Sequence, residues 1–307
     1  MTERIAAIDL GTNTARLLIA DRYPDGSFEQ VALMRAIVRL GGGFSREEGL
    51  AGDAMERAVA CLHGFSAEIA RHGVQTVRAV ATSAVRDAAN GPDFVARVAR
   101  ETGIRLGVIE GATEGAITLQ GVLAGLGTHP QNLLVFDIGG GSTEYTLACD
   151  NTLRFVQSLP LGVVRLTEGK GEPAAMAEKI GRELDALAAQ MGREGLAIDP
   201  AGTLLVGTAG TITTLAAISL QMADYDYRKV HNLMLERSEI SRIYDLLLPL
   251  TSLERLKIPG LEQGREDLII AGALITLMTM ERFGFERMKV SDYSLLEGLV
   301  VTDLLGS

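Results

Sequence analysis

Two cysteines, Cys61 and Cys149, are all that 307 residues contain, and no CxxC spacing joins them. That excludes a disulfide framework and suits a reducing, cytoplasmic setting, with packing as the expected role of both thiols. Four histidines, His63, His72, His129 and His231, stand apart without metal-ligand spacing, so no histidine zinc site is expected. Cations are scarce relative to acids: 29 Lys and Arg face 39 Asp and Glu, a formal net charge of −10. Such a chain does not bind nucleic acid by bulk electrostatics, which needs clustered lysine and arginine. Any polyanionic substrate must be gripped by local cations, and no long basic track is evident in the sequence. Long apolar runs are missing as well. Leu268 to Met280 falls short of the ~20 residues of a membrane span and reads as a buried helix. Met1-Thr2-Glu3-Arg4 opens no apolar core of a signal peptide, so no membrane partner is expected.

What is present is a globular composition, 47% apolar, in a chain too long for one typical core, which predicts two domains. The most informative stretch is Leu133 to Glu144, Leu-Leu-Val-Phe-Asp-Ile-Gly-Gly-Gly-Ser-Thr-Glu. A short apolar run bounded by glycines reads as a buried strand with Asp137 at its tip. Three glycines remove every Cβ at the turn, so main-chain N–H groups can wrap an anion. Ser142 to Ala148 then alternates and is rich in β-formers, which makes the loop a hairpin. Rossmann and Walker loops differ, because a helix begins immediately after their glycines.

The N-terminus shows the same device. Ile5 to Asp9 is an apolar strand ending in aspartate, Gly11-Thr12-Asn13-Thr14 makes the turn, and Ala15 to Asp21 leaves as a second strand. A third strand from Phe28 to Met34, a helix Asp53–Arg71, a strand Thr76–Ala81, a helix near 92–100, a strand Ile104–Ile109 and a helix after Glu110 follow, in the order βββαβαβα. The second half repeats it: Asp137 follows Asp9 by 128 residues, and Val206-Gly207-Thr208-Ala209-Gly210 follows the Val80-Ala81-Thr82-Ser83 segment by 126. Met288 to Asp292 answers 107–110. The extra length forms a helical insertion at about 224–284, with Ser238 capping a helix to Leu248 and a long apolar helix from Arg265 to Phe283. The predicted domains are 1–127 and 128–307, joined by a hinge near 125–132, with the last helix able to pack back on the first domain. Two such halves would face their loops across a shared cleft.

Five segments together carry a family resemblance: Ile8-Asp9-Leu10-Gly11-Thr12-Asn13-Thr14, Ala81-Thr82-Ser83-Ala84-Val85-Arg86, Asp137 through Glu144, Leu159 through Thr167, and Gly207-Thr208-Ala209-Gly210-Thr211. The chain resembles the exopolyphosphatase and guanosine pentaphosphate phosphatase (Ppx/GppA) family, in a short form lacking the C-terminal helical domain of longer relatives. The resemblance covers nearly the whole chain. It implies an α/β fold of two duplicated ribonuclease-H-like domains, of the actin, hexokinase and Hsp70 superfamily, flanking an active-site cleft. Two positions depart from the pattern: Gly115 follows Glu114 where alanine is usual, and Leu296 precedes Glu297-Gly298 where arginine is common.

Phosphoanhydride hydrolysis needs charge neutralisation, an in-line leaving phosphate and a positioned water. Asp9, Asp137 and Glu144 are the expected Mg²⁺ ligands, since Mg²⁺ takes one or two carboxylates and keeps water and substrate oxygens. Glu144 could equally position the water. Glu114 matches the family's catalytic glutamate and sits in the first turn of a predicted helix, whose dipole favours the ionised form of a general base. Phosphate contacts are expected from Gly11, Thr12, Asn13, Gly139, Gly140, Gly141 and Ser142, from the arginines Arg39 and Arg86, and from Gly207, Thr208 and Gly210. Turn capping by the aspartates, surface placement of the arginines and a plain strand-to-helix connection at 207–210 are the competing structural roles.

The resemblance implies a Mg²⁺-dependent hydrolase acting on inorganic polyphosphate, on the stringent-response nucleotide guanosine pentaphosphate (or its tetraphosphate), or on both, with a homodimer as a further expectation. An ATP-dependent small-molecule kinase or ATPase of the same superfamily is one alternative, and a non-catalytic sensor of the alarmone or of polyphosphate is another. A pure binder has no use for a water-activating carboxylate among acids that repel phosphate.

Overall fold

The computed structural model describes residues 2–45, 47–128 and 130–303. His129 lies outside them. The chain opens with β1 (Glu3–Leu10) and β2 (Thr14–Arg22), a hairpin that sets Asp9 opposite Arg16, and continues into antiparallel β3 (Phe28–Ile37). β1 is apolar on both faces because both are covered: Ala6, Ile8 and Leu10 enter one core, Ile5 and Ala7 another. Helix α1 (Gly52–Arg71) buries Ala54, Ala58, Val59, Leu62 and Phe65 at helical spacing. β4 (Thr76–Ala81) runs parallel to β1, then come α2 (Ser83–Arg86), α3 (Gly91–Thr102), β5 (Gly107–Val108) and α4 (Gly111–Gly125). The predicted strand Ile104–Ile109 shrinks to two residues, because β5 ladders with β4 only at Val80 and Ala81.

The second half is built in the same order from β6 (Asn132–Ile138), β7 (Thr143–Cys149), β8 (Thr152–Leu159), α5 (Val163–Lys170), α6 (Pro173–Arg193), β9 (Thr203–Thr208) and α7 (Ala209–Ser219). The insertion follows as α8 (Tyr227–Val230), β10 (Met234–Glu236), α9 (Arg237–Leu247), α10 (Ser252–Arg255) and α11 (Ile269–Phe283), and β11 (Arg287–Ser291) and α12 (Leu295–Val301) complete the chain. One sheet has the order β3-β2-β1-β4-β5 and the other β8-β7-β6-β9-β11-β10, so the same five-strand order occurs twice. The ladders agree in register: Asp9 pairs with Val80 and Asp137 with Thr208, each 71 residues on (80 − 9 and 208 − 137). These are two duplicated ribonuclease-H-like domains.

Three expectations for the insertion need correction. It is not purely helical, since β10 pairs antiparallel with β11 and widens the sheet. Ser238 does not cap α9: β10 runs straight into the helix, whose N-cap is Glu236 with no side-chain cap bond. The helix drawn from Arg265 starts only at Ile269, because the chain turns through Glu262 and Arg265 first, with Arg265 N–H donating to the Glu262 carbonyl.

The chain divides into two compact units, one from Gly125 to Asp292, the other running up to Ala124 and resuming at Tyr293. In the latter, α12 packs Leu295, Leu296, Leu299 and Val300 onto Ile5, Ala7 and Leu18. It crosses α4 closely: a Cβ at Gly121 would lie 2.0 Å from the Ser294 carbonyl oxygen, and one at Gly298 2.1 Å from that of Ile117.

Candidate active site

Both hairpin loops are held from behind by the segment that follows the third strand of their sheet. In the first unit Val38 and Arg39 donate N–H groups to the Asn13 carbonyl (3.0 and 2.9 Å) and Gly41 donates to Thr12 (2.8 Å). In the second, Val163 donates to Gly139 (3.0 Å), and Val164 and Arg165 to Gly140 (2.9 and 3.2 Å). Each loop is closed by its first glycine, Gly11 to the Thr14 carbonyl at 3.0 Å and Gly139 to that of Ser142 at 2.9 Å. The carbonyls of Thr12, Asn13, Thr14, Gly139, Gly140 and Ser142 are thereby occupied. Among the described residues, the N–H groups of Thr12, Asn13, Gly140, Gly141 and Ser142 donate to no backbone carbonyl. Short runs of N–H donors without acceptors are what an anion-binding loop requires.

Asn13 adds a second sign. Its side chain is 5% exposed, and neither Nδ2 nor Oδ1 has a hydrogen-bond partner. A buried primary amide left unsatisfied costs about 1–3 kcal/mol, which a bound polar group would relieve. Arg39 is tied to this loop by its backbone and holds φ at +46°, a left-handed conformation that a non-glycine residue rarely adopts. Thr12 Oγ1 and Ser83 Oγ lie 2.9 Å apart, so the turn after β4 is fastened to the same loop.

The four candidate carboxylates are each less than a tenth exposed, and buried carboxylates need partners. Asp9 has one: Arg16, its cross-strand neighbour, reaches Oδ2 with Nη2 at 2.8 Å and Nε at 3.2 Å. In the other hairpin the same place opposite the aspartate belongs to Glu144, which accepts a 2.6 Å bond from Ser158. Asp137 and Glu144 therefore project from one face of adjacent strands, where like charges repel unless a cation lies between them. That pair, beside a loop of N–H donors, fits a hard divalent ion that keeps some of its water. Among the described residues no three His, Cys, Asp or Glu side chains form a metal cage.

Glu114 lies in the first turn of α4, and Arg86, last residue of α2, approaches its Oε2 at 3.6 Å while donating to the Ile109 carbonyl at 2.9 Å. Arg86 thus stands at the N-terminal end of α4 beside the carboxylate, where both it and the helix dipole favour the ionised base.

The 207–210 segment is explained mostly by packing. A Cβ on Gly207 would stand 3.0 Å from Phe136 and 3.1 Å from Ile212, and Thr208 Oγ1 donates to the Ser291 carbonyl at 3.0 Å. Gly210 makes room for a guanidinium: a Cβ there would lie 1.9 Å from Arg265 Nη2. Arg265 is buried and its Nε donates to Glu262 at 2.6 Å. Arg265 and Arg16 are the cations that sequence reasoning missed. Arg16 could have been found by counting cross-strand register back from Asp9, and Arg265 by its i,i+3 spacing from Glu262.

Residues 19–307 match the Ppx/GppA phosphatase family. The chain belongs to that family. Its relatives include Exopolyphosphatase 2 of Mycobacterium tuberculosis, 32% identical over 314 aligned positions that cover 97% of this chain and 98% of that protein. The bifunctional 3-dehydroquinate synthase/phosphatase of Fusobacterium nucleatum is also 32% identical, over 96% of this chain but 46% of its own length. Among solved structures, the Ppx/GppA family member of Aquifex aeolicus superposes with a TM-score of 0.80 at 34% identity, covering 99% of this chain and 98% of that one. An exopolyphosphatase from Cytophaga hutchinsonii gives 0.89 at 29% identity, with coverage of 99% and 98%. Family membership makes this Ppx/GppA chain an exopolyphosphatase-type phosphohydrolase. No helix among its described residues is long and apolar enough to cross a membrane.

Proposed function

We propose that the chain is a Mg²⁺-dependent hydrolase releasing terminal phosphate from inorganic polyphosphate or from guanosine pentaphosphate. Glu114 deprotonates the attacking water, held ionised by Arg86 and the α4 N-terminus. The N–H groups of Thr12, Asn13, Gly140, Gly141 and Ser142 hold phosphate oxygens, and the Asn13 amide adds a side-chain contact. Asp137 and Glu144 would hold the Mg²⁺, and in the first unit Asp9 keeps, as a further candidate ligand, the carboxylate oxygen that Arg16 does not bind. When bound, the ion would neutralise charge on the phosphoanhydride oxygens. Gly11 and Gly139 close the loops, Arg39 braces one of them, Gly210 makes room for Arg265, and Gly207 and Thr208 pack the strand that leads to it.

The observation that carries this is the duplicated loop itself, two rows of N–H donors built by the same backbone bonds, with a positioned glutamate in the first unit and an acidic pair in the second. Glu114→Gln is the test. Phosphate release should fall by about 10²–10⁴-fold while substrate affinity stays within a few-fold. Unchanged turnover in that variant removes the general base from the mechanism. Transfer of phosphate from ATP to an acceptor by the wild-type chain would reassign it as a kinase. A cytoplasmic location and a homodimer belong to the same proposal; Cys61 and Cys149 are both unpaired, and light scattering reads the oligomeric state.

A further inference from the structure

One row of residues crosses the second sheet at the loop end and stays polar from strand to strand. Glu144 on β7 stands directly opposite Asp137 on β6 and, on its other side, opposite Ser158 on β8. The matching row of the first sheet reads Asp9, Arg16, Arg35. Where the first unit sets two arginines next to its aspartate, the second sets a carboxylate and then a hydroxyl. The Ser158 hydroxyl donates to Glu144 Oε1 at 2.6 Å, a length typical of a bond to a charged oxygen. Glu144 is buried to within 2% of full enclosure, so this donor is not readily exchanged for bulk water.

A hydroxyl does for this carboxylate what an arginine does not. A guanidinium in the place of Ser158 would cancel the negative charge that a cation needs, whereas a neutral donor preserves the charge and fixes the direction of the group. The last torsion of a glutamate is broad and roughly two-fold, so an unanchored carboxyl turns readily. Held at Oε1, this one turns only by breaking the Ser158 bond. That restriction bears on which ion fits. Mg²⁺ demands a near-octahedral shell and keeps water in it, whereas the larger Ca²⁺ takes more oxygens and often both from one carboxyl.

We propose that Ser158 is a positioning residue that holds the Glu144 carboxyl as a one-oxygen ligand, through Oε2, and thereby favours Mg²⁺ over Ca²⁺ at the acidic pair. This rests on the assignment of Asp137 and Glu144 as the metal ligands in the function proposed above. Ser158 acts through Glu144 and is not itself a ligand.

The experiment uses the full chain and needs no substrate. Mn²⁺ is bound to the protein, the free ion is read by its electron paramagnetic resonance signal, and Mg²⁺ or Ca²⁺ is titrated in to displace it. The wild-type chain should bind Mn²⁺ and Asp137→Asn should lose that binding. A wild-type chain that binds none, or binding that persists in Asp137→Asn, overturns the proposal. In Ser158→Ala the dissociation constant for Ca²⁺ divided by that for Mg²⁺ should fall about tenfold, while Ser158→Thr, which keeps the donor, should keep the wild-type ratio. A hydroxyl that serves packing alone would change both constants by the same factor. An unchanged ratio in Ser158→Ala, or a Ser158→Thr ratio that falls as far, therefore overturns the proposal. Should Ser158→Ala not fold, Ser158→Cys, with a weak donor of similar size, takes its place with the same outcomes. Phosphate release is assayed separately. If the wild-type chain releases none from polyphosphate or guanosine pentaphosphate, the hydrolase function fails, and the ion ratio still decides the role of Ser158.

Discussion

The two hairpins share a backbone and differ in charge. Asp9 and Asp137 occupy equivalent places, but the residue across the ladder is Arg16 in one and Glu144 in the other. One residue later on the same strand the contrast extends inward: Leu17 lies where the second unit has Tyr145, a buried phenol 2.6 Å from Thr279 Oγ1 and stacked on Phe136. The first hairpin neutralises its acid internally and spends its buried polar capacity on Asn13. The second doubles its acid and fastens the same strand to α11 through Tyr145. A duplicated scaffold can thus separate two tasks, anion grip on one side and cation grip on the other, without altering the loop that both need.

Variants can break that contrast. The largest effects are expected at the acidic pair: Asp137→Asn or Glu144→Gln should lower turnover about a hundredfold and raise the Mg²⁺ concentration for half-activity, with partial recovery at high Mg²⁺. An Asp9→Asn change of equal size would show that the two hairpins handle the metal alike. Next comes Arg16→Met, which leaves the Asp9 carboxylate buried without its main partner and should cost about 3 kcal/mol in denaturant unfolding, more than Asp9→Asn. Equal losses would mean that the pair adds nothing beyond packing. Tyr145→Phe removes one buried hydrogen bond and should cost about 1 kcal/mol, with activity kept. Asp303 gives the smallest effect. Hydrogen bonds first from Arg22 and then from Arg78 hold its carboxyl at about 2. Its folded value lies below the unfolded one, so its contribution is complete above about pH 4 and disappears as pH falls through about 2. Because the group is exposed, an acid melting series of Asp303→Asn should differ from wild type only slightly, and only above that window.

Much of this was legible in the sequence, for identifiable reasons. Apolar runs ending in Asp9 and Asp137 announce buried strands, and the glycines after them announce the loops, because period and missing Cβ atoms are local properties. The amphipathic faces of α1 and α6 were equally plain. Arg16 does not stand out in the sequence because its importance depends on which residue faces it across the ladder. Arg265 looks in sequence like the start of a helix, since nothing local shows that its guanidinium fills the space above Gly210. β10 was hidden by its length of three residues.

The position of α12 has a consequence for the order in which the protein acquires its shape. The unit from Gly125 to Asp292 is one uninterrupted length of chain, so it can fold as soon as it leaves the ribosome. The other unit is started first and finished last. Until α12 emerges, the faces of Ile5, Ala7 and Leu18 that it covers stay open to water and to other sticky surfaces. β1 therefore waits through the synthesis of the whole second unit for its cover, and nascent chains stalled short of Leu295 are the ones a chaperone should hold longest.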